Sequence, residues 1–298
     1  TFDGVLPTIA NQASRYLSER AKQSDKPFFL YVPFSEVHTP IASPAKYLDM
    51  YSQYITAEGK SQPDLYHWDW GDRPYRGQGE YYANISFLDA QIGRIIQKLE
   101  SMQQLDSTII FFASDNGPVT REARKPWELN MAGETGGLRG RKDNLLEGGI
   151  RVPGIARWPG KIPTGKESQT PIIGSDLFST ILGIMDIPLP DDRTIDGANI
   201  MPLFSGMPIT RNIPLYWRNH LARSEIHVAL REGDWKILAN TQLEEFKLYN
   251  IAKDWEEKEE LSSKFPDKLK SMKSILLSVH NQVEREGPKK WWENEPSR

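Results

Sequence analysis

The sequence predicts an α/β protein: a mostly parallel central sheet flanked by helices, then a small C-terminal antiparallel sheet with a covering helix. Three observations predict it. Phe28–Val32 and Thr108–Ala113 are continuous apolar runs rich in aromatic and β-branched residues, the pattern of strands buried on both faces. Helical periodicity around these runs gives the strand–helix–strand alternation of a parallel sheet with right-handed crossovers. From about Ile209 the pattern changes to short strands divided by Asn and Gly turns. The expected division is therefore 1–208 for the main α/β domain and 209–298 for a small α+β subdomain.

Taken in order, Pro7–Ala21 reads as a helix that Thr8 can cap, with Ile9, Ala13, Tyr16, Leu17 and Ala21 on one face. Ser24-Asp25-Lys26-Pro27 breaks it before the first apolar run. Glu80–Met102 carries Ile85, Leu88, Ile92, Ile95, Ile96 and Leu99 at helical spacing, with Asp89 as a polar position near a boundary or rim. Ile155–Trp158 reads as a short strand. Ile172–Met185 reads as a helix with Leu177, Ile181, Leu182 and Ile184 inward, ended by Pro188 and Pro190. In the last part, strands are expected at Ile213–Trp217, Ile226–Arg231, Trp235–Ala239 and Phe246–Tyr249. A helix over Pro266–Glu284 shows Leu269, Met272, Ile275, Leu276 and Val279 on one side.

Composition narrows the function. The chain has 298 residues and a formal net charge of −3, so nothing in its charge calls for nucleic acid or an anionic membrane surface. No window is apolar for long enough to span a membrane. With no Cys, disulfides and thiolate metal sites are excluded.

The stretch with chemical content runs from Ser107 to Pro153. At the C-terminal end of the run 108–113 stand Asp115-Asn116-Gly117. That is good turn chemistry by itself. It is also where open α/β sheets bind ligands, and a carboxylate beside a carboxamide offers two hard oxygens for Ca²⁺ or Mg²⁺. Arg139, Arg141 and Lys142 then crowd a glycine-punctuated loop, followed by Glu147-Gly148-Gly149-Ile150-Arg151-Val152-Pro153. Cations gathered beside such a pair suit an anionic substrate. Residues 44–81 form a long irregular stretch rich in Tyr and Trp. Long loops in compact domains are often functional, and Trp68 in His67-Trp68-Asp69-Trp70 offers a flat ring to a sugar face. His220, His227 and His280 are dispersed and form no metal triad; His220 can reach the site from its loop.

The segments S-D-N-G at 114–117, L-R-G-R-K at 138–142 and E-G-G-I-R-V-P at 147–153 together resemble the sulfatase family, the formylglycine-dependent arylsulfatase-like enzymes of the alkaline-phosphatase superfamily. The run P-F-F-L-Y-V-P-F-S-E-V-H-T-P at 27–40 matches that family's strand ending in a His-x-Pro turn. A-L-R-E-G-D-W-K-I-L and K-L-Y-N-I-A-K-D-W-E-E are similar to its C-terminal run. The resemblance implies an alkaline-phosphatase-like fold and hydrolysis of a sulfuric ester, with a sulfated carbohydrate as the expected substrate. It implies Asp115 and Asn116 as ligands of Ca²⁺, with Mg²⁺ as the alternative, and Lys142 and His38 as catalytic contacts of the sulfate. Arg139 and Arg141 are expected to shape the loop. The family's location implies a periplasmic or secreted protein.

The resemblance covers only the latter part of the family's length. The family's C-x-P-S-R segment, whose Cys or Ser becomes formylglycine, has no counterpart; Asn294-Glu295-Pro296-Ser297-Arg298 has Asn at the reactive position. The formylglycine is expected in an N-terminal segment missing from this chain, and the chain alone is expected to be inactive. The alternatives are a phosphomonoester or phosphonate hydrolase of the same superfamily and a non-catalytic carbohydrate-binding relative.

Overall fold

The structure, a computed structural model, describes residues 9–22, 26–38, 41, 43–55, 77–119, 132–222 and 224–287. The chain forms two compact units. One comprises residues 1–110 and 118–134, the other 111–117 and 135–298.

The first unit is organised on a long helix. α1 spans Ile9–Arg20, α2 spans Ala45–Asp49 and α3 spans Gln78–Ser101, with a 3-10 turn at Ser52–Tyr54. α1 and α2 both pack on α3. Ala10, Ala13 and Leu17 are the buried face of α1, as the helical spacing predicts. Thr8 lies outside the described residues. α3 matches the predicted helix within two residues at its start, but Ile85 is exposed and Asp89 sits exposed in mid-helix. Glu80 is buried instead, and its Oε1 accepts the backbone N–H of Ser43 at 2.6 Å. Tyr51 reaches across to Ser86 at 2.8 Å.

Phe28–Val32 is not a strand. The segment has no regular structure, and Phe29 and Tyr31 are 70% and 77% exposed. An apolar run becomes a buried strand only where neighbours supply ladder bonds and cover both faces, and no partner strand stands beside it among the described residues.

In the second unit, β1 (Ile110–Ala113, whose first residue belongs to the first unit) pairs with β2 (Gly154–Arg157). Phe112 and Ile155 are exposed, so these strands are not covered on both sides as their composition suggested. Between them α4 (Glu147–Ile150) is a single buried turn that the sequence did not suggest. α5 (Asp176–Ile184) is shorter than predicted. Its fully buried residues are Asp176, Ser179 and Thr180, while Leu177, Ile181, Leu182 and Ile184 are only half-buried. Asp176 explains the inversion. Its carboxylate accepts two bonds from Arg211 at 2.8 and 2.7 Å and the backbone N–H groups of Ile173 and Ala198 at 2.8 Å each. A short helix, α6, follows at Met201–Phe204.

The C-terminal part forms as predicted. β3 (Leu215–Arg218), β4 (Val228–Glu232), β5 (Trp235–Ala239) and β6 (Phe246–Asn250) make one antiparallel sheet in sequence order, and α7 (Pro266–Glu286) covers it. The β4–β5 hairpin closes on Glu232↔Trp235, with Gly233 at φ 58° making the tight turn. Strand alternation sends Val228, Leu230, Ile237, Ala239 and Leu248 to one face, where Met272, Leu276 and Val279 of α7 meet them. It sends Ala229, Leu238 and Tyr249 to the other face, against Leu145, Leu146 and Ile150. The segment joining the cationic loop to β2 is therefore part of the sheet's second core.

Candidate active site

The loops that carry the predicted residues are interlocked through glycines. Gly117, directly after Asp115-Asn116, donates its N–H to Gly149 O at 2.9 Å. A Cβ on Gly117 would lie 1.8 Å from Gly148 O, so the backbones touch where no other residue fits. Gly148 in turn donates to Arg139 O at 2.7 Å. A Cβ on Gly149 would lie 2.1 Å from Asn144 O and 2.5 Å from Arg141 O. The turn 115–117, the loop 138–144 and α4 are thus stitched together by backbone contacts. The spacing of D-N-G, R-G-R-K and E-G-G in the sequence reflects that contact.

Asp115 is exposed at the end of β1. Its Oδ1 accepts the N–H of Asn116 at 2.9 Å. Asn116 Nδ2 donates to Gly117 O at 2.9 Å, which leaves its carbonyl oxygen as the group to present to a cation. Two hard oxygens on a fixed turn fit Ca²⁺ or Mg²⁺ in kind. They do not complete a site in number: among the described residues no group of three or more His, Cys, Asp or Glu could hold a metal.

The cations of the loop have different roles. Arg139 donates from Nη1 to Glu257 O at 2.9 Å and lies against Tyr249, whose phenol burial pushes up and Arg139 partly pulls back. Arg151 lies 3.8 Å from Glu147 Oε2. Lys142 is half-buried, with neither a carboxylate nor a carbonyl partner among the described residues. Asn144 Oδ1 accepts the N–H of Arg141 at 3.0 Å, and Asp143 holds φ 72°, so the backbone on both sides of Lys142 is fixed.

The loop bearing His220 meets this one. Asn219 Nδ2 makes a long hydrogen bond of 3.4 Å to Asp143 O, and Asn219 N–H binds His227 O at 2.9 Å. The structure therefore gathers Asp115, Asn116, Lys142 and His220 onto interlocked loops of one unit. His38 belongs to the other unit, where it is exposed in a turn and its N–H donates to Ser35 O at 2.8 Å. Trp68 lies outside the described residues.

Three residues of consequence lie inside motifs the sequence reading quoted but were given no role there: Glu147, Lys236 and Glu257, all buried beneath the cationic loop. A signal existed in Trp235-Lys236-Ile237-Leu238-Ala239. Both faces of that strand are apolar apart from Lys236, and a lysine in such a place needs a buried partner.

Comparison with known proteins places the chain. The family model described as Sulfatase matches residues 7–187, and that described as N-sulphoglucosamine sulphohydrolase, C-terminal, matches residues 139–286. Human steryl-sulfatase is 31% identical over 206 residues, covering 69% of this chain and 30% of that protein. An N-acetylgalactosamine-6-O-sulfatase of Bacteroides thetaiotaomicron is 25% identical over 296 residues, covering 93% of this chain and 51% of that protein. A crystal structure of Ps i-CgsB in complex with k-i-k-neocarrahexaose superposes with a TM-score of 0.70 at 23% identity, covering 93% of this chain and 53% of that one. The chain thus spans about half or less of the length of these relatives. With a match over more than half of its residues and the predicted motifs joined in one place, the chain belongs to the sulfatase family.

Proposed function

We propose that this chain is the C-terminal part of a sulfuric ester hydrolase that removes sulfate from a sulfated carbohydrate. The observation that carries the reading is Lys142. A half-buried ammonium without a counter-charge among the described residues, on a loop locked to Asp115-Asn116, is a place prepared for an anion. Lys142 binds a sulfate oxygen and stabilises the charge that develops on the departing ester oxygen. His38 is assigned a contact with a sulfate ester on its His-x-Pro motif alone. Asp115 and Asn116 would hold Ca²⁺, which would supply Lewis-acid polarisation of the sulfate. His220 is assigned to the sugar side of the loop that bears Lys142, and Trp68 is kept as a sugar contact on its composition alone.

The nucleophile is assigned to a formylglycine in an N-terminal segment outside these 298 residues, since the chain has no Cys and no C-x-P-S-R. That segment would also complete the metal shell. The expected setting is periplasmic or secreted. Among the described residues no helix is long and apolar enough to cross a membrane.

The test uses the full-length gene product. Lys142→Ala should lower turnover on a sulfated sugar about a hundredfold or more, as loss of a charge-stabilising donor does, with the melting temperature held. Asp115→Ala should abolish tight Ca²⁺ binding by calorimetry. Near-normal turnover in Lys142→Ala removes the assignment, and faster hydrolysis of aryl phosphates than of aryl sulfates by the wild type replaces sulfate with phosphate.

A further inference from the structure

Beneath the cationic loop lies an ionic cluster that the proposed chemistry does not use. Lys236 sits in the middle of β5 with its side chain fully buried. Its ammonium is 2.8 Å from Glu147 Oε1 and 2.9 Å from Glu257 Oε1, the second an ion pair rather than an aligned hydrogen bond. Glu257 Oε2 accepts the backbone N–H of Glu147 at 2.7 Å, closing the ring. The backbone oxygen of Glu257 holds Arg139. Arg151 and Arg231 each stand 3.8 Å from Glu147 Oε2. All of these groups belong to one compact unit.

Stability alone is a poor reason for this cluster. A buried ion pair recovers little beyond its desolvation cost, and apolar residues of similar volume do as well. Direction is what apolar residues do not provide. Leu145, Leu146 and Ile150 press the segment against the sheet, but apolar contact is non-directional and tolerates sliding. Lys236 ties Glu147 and Glu257 to one point of β5. Glu147 opens α4, whose Gly148 holds Arg139 O and whose Gly149 holds Gly117. Both ends of the candidate site therefore trace back to one ammonium.

We propose that Lys236 is a positioning residue: through Glu147 and Glu257 it registers α4 and the cationic loop against the C-terminal sheet, and so sets where Lys142 and Asp115-Asn116 stand relative to an anionic substrate. The inference rests on Lys142 being the anion contact.

The test compares Lys236→Met with the triple variant Lys236→Met/Glu147→Gln/Glu257→Gln in the full-length protein. The single variant strands two buried carboxylates and is expected to lose stability throughout; the triple removes the stranded charge. Hydrogen exchange is read at the amides of Gly117 and Gly148, and as reference at Val228–Leu230 and Ile237–Ala239. In the triple variant the site amides should exchange at least about tenfold faster while the sheet amides keep their protection. Turnover of an aryl sulfate should fall at least about tenfold with little change in KM, as loss of a transition-state contact does. Unchanged exchange at Gly117 and Gly148 overturns the proposal. So does loss of protection across the whole sheet, or a triple variant that does not fold, since either makes the cluster a stability element. Failure of the underlying reading is separately visible: Lys142→Ala would then keep its turnover, while the exchange experiment still decides what Lys236 does.

Discussion

Gly117→Ala is the most direct test of the interlocked site. The added Cβ would stand 1.8 Å from Gly148 O, and real Cβ atoms essentially never come closer than 3.0 Å, so the backbones must separate by 3.0 − 1.8 = 1.2 Å. Neither side is a side chain that can swing away. Gly148 is held by its bond to Arg139 O and Gly149 by its bond from Gly117. The separation breaks the 2.9 Å bond between Gly117 and Gly149, a net loss of about 1 kcal/mol. Forcing tightly packed backbone apart adds about 1–3 kcal/mol. Together these come to about 2–4 kcal/mol, or a fall in melting temperature of about 4–16 °C for a unit of this size. The same displacement carries Asp115-Asn116 away from Lys142, and a misplacement of about 1 Å costs about a hundredfold in rate. Differential scanning calorimetry and turnover in the full-length protein read both. Gly174→Ala is the control, because a Cβ there meets nothing within 4 Å. If Gly117→Ala melts and turns over like Gly174→Ala, the loops are not in contact as described.

Arg211→Met should cost about 3–5 kcal/mol, because it leaves the fully buried Asp176 with backbone N–H donors but no counter-charge; a melting curve close to wild type speaks against that. Glu257 tests the cluster by pH. Burial raises its carboxyl above the ordinary 4.5, outweighing Lys236, so ionising it costs more in the fold than in the unfolded chain. Its contribution is full below pH 4.5 and is lost as pH rises through the raised value. Glu257→Gln, fixed in the neutral form, escapes that loss. The stability of the variant relative to wild type, from urea midpoints, should therefore rise with pH across that window, and a flat difference refutes the assignment.

The sequence was most legible where a pattern meets its partner within the chain. The short strands at Ile226–Arg231 and Trp235–Ala239 predicted an antiparallel sheet with a covering helix, and α7 is that cover; the packing of Leu145-Leu146 on the other face was not in the prediction. It was least legible at apolar runs that stand uncovered among the described residues. Phe28–Val32 and Phe111-Phe112 have the composition of doubly covered strands, yet Phe29, Tyr31 and Phe112 are exposed. α5 misled for another reason. Periodicity ranks Leu and Ile above Asp and Thr, but the bonds from Arg211, Ile173 and Ala198 pull Asp176 inward, and a buried hydrogen-bonded carboxylate has no periodic signature. The contact between the motif-bearing loops was readable because glycine spacing records backbone contact. Its support was not, because Lys236, Glu147 and Glu257 come from three distant segments.

That support changes what the C-terminal sheet is for. A sheet with one face on α7 and the other on solvent would be an appendage, and its loss would leave the loop 138–144 intact. Here the second face is covered by the segment that follows the cationic loop, with the ionic cluster at its centre. The loop is therefore one edge of the sheet's core, and its placement is settled when that core packs. The span of the C-terminal family match agrees, since it begins at Arg139 inside the loop and ends at Glu286, the last residue of α7. Loop, sheet and helix pack as one physical unit, joined at Lys236 of β5 through Glu147 and Glu257.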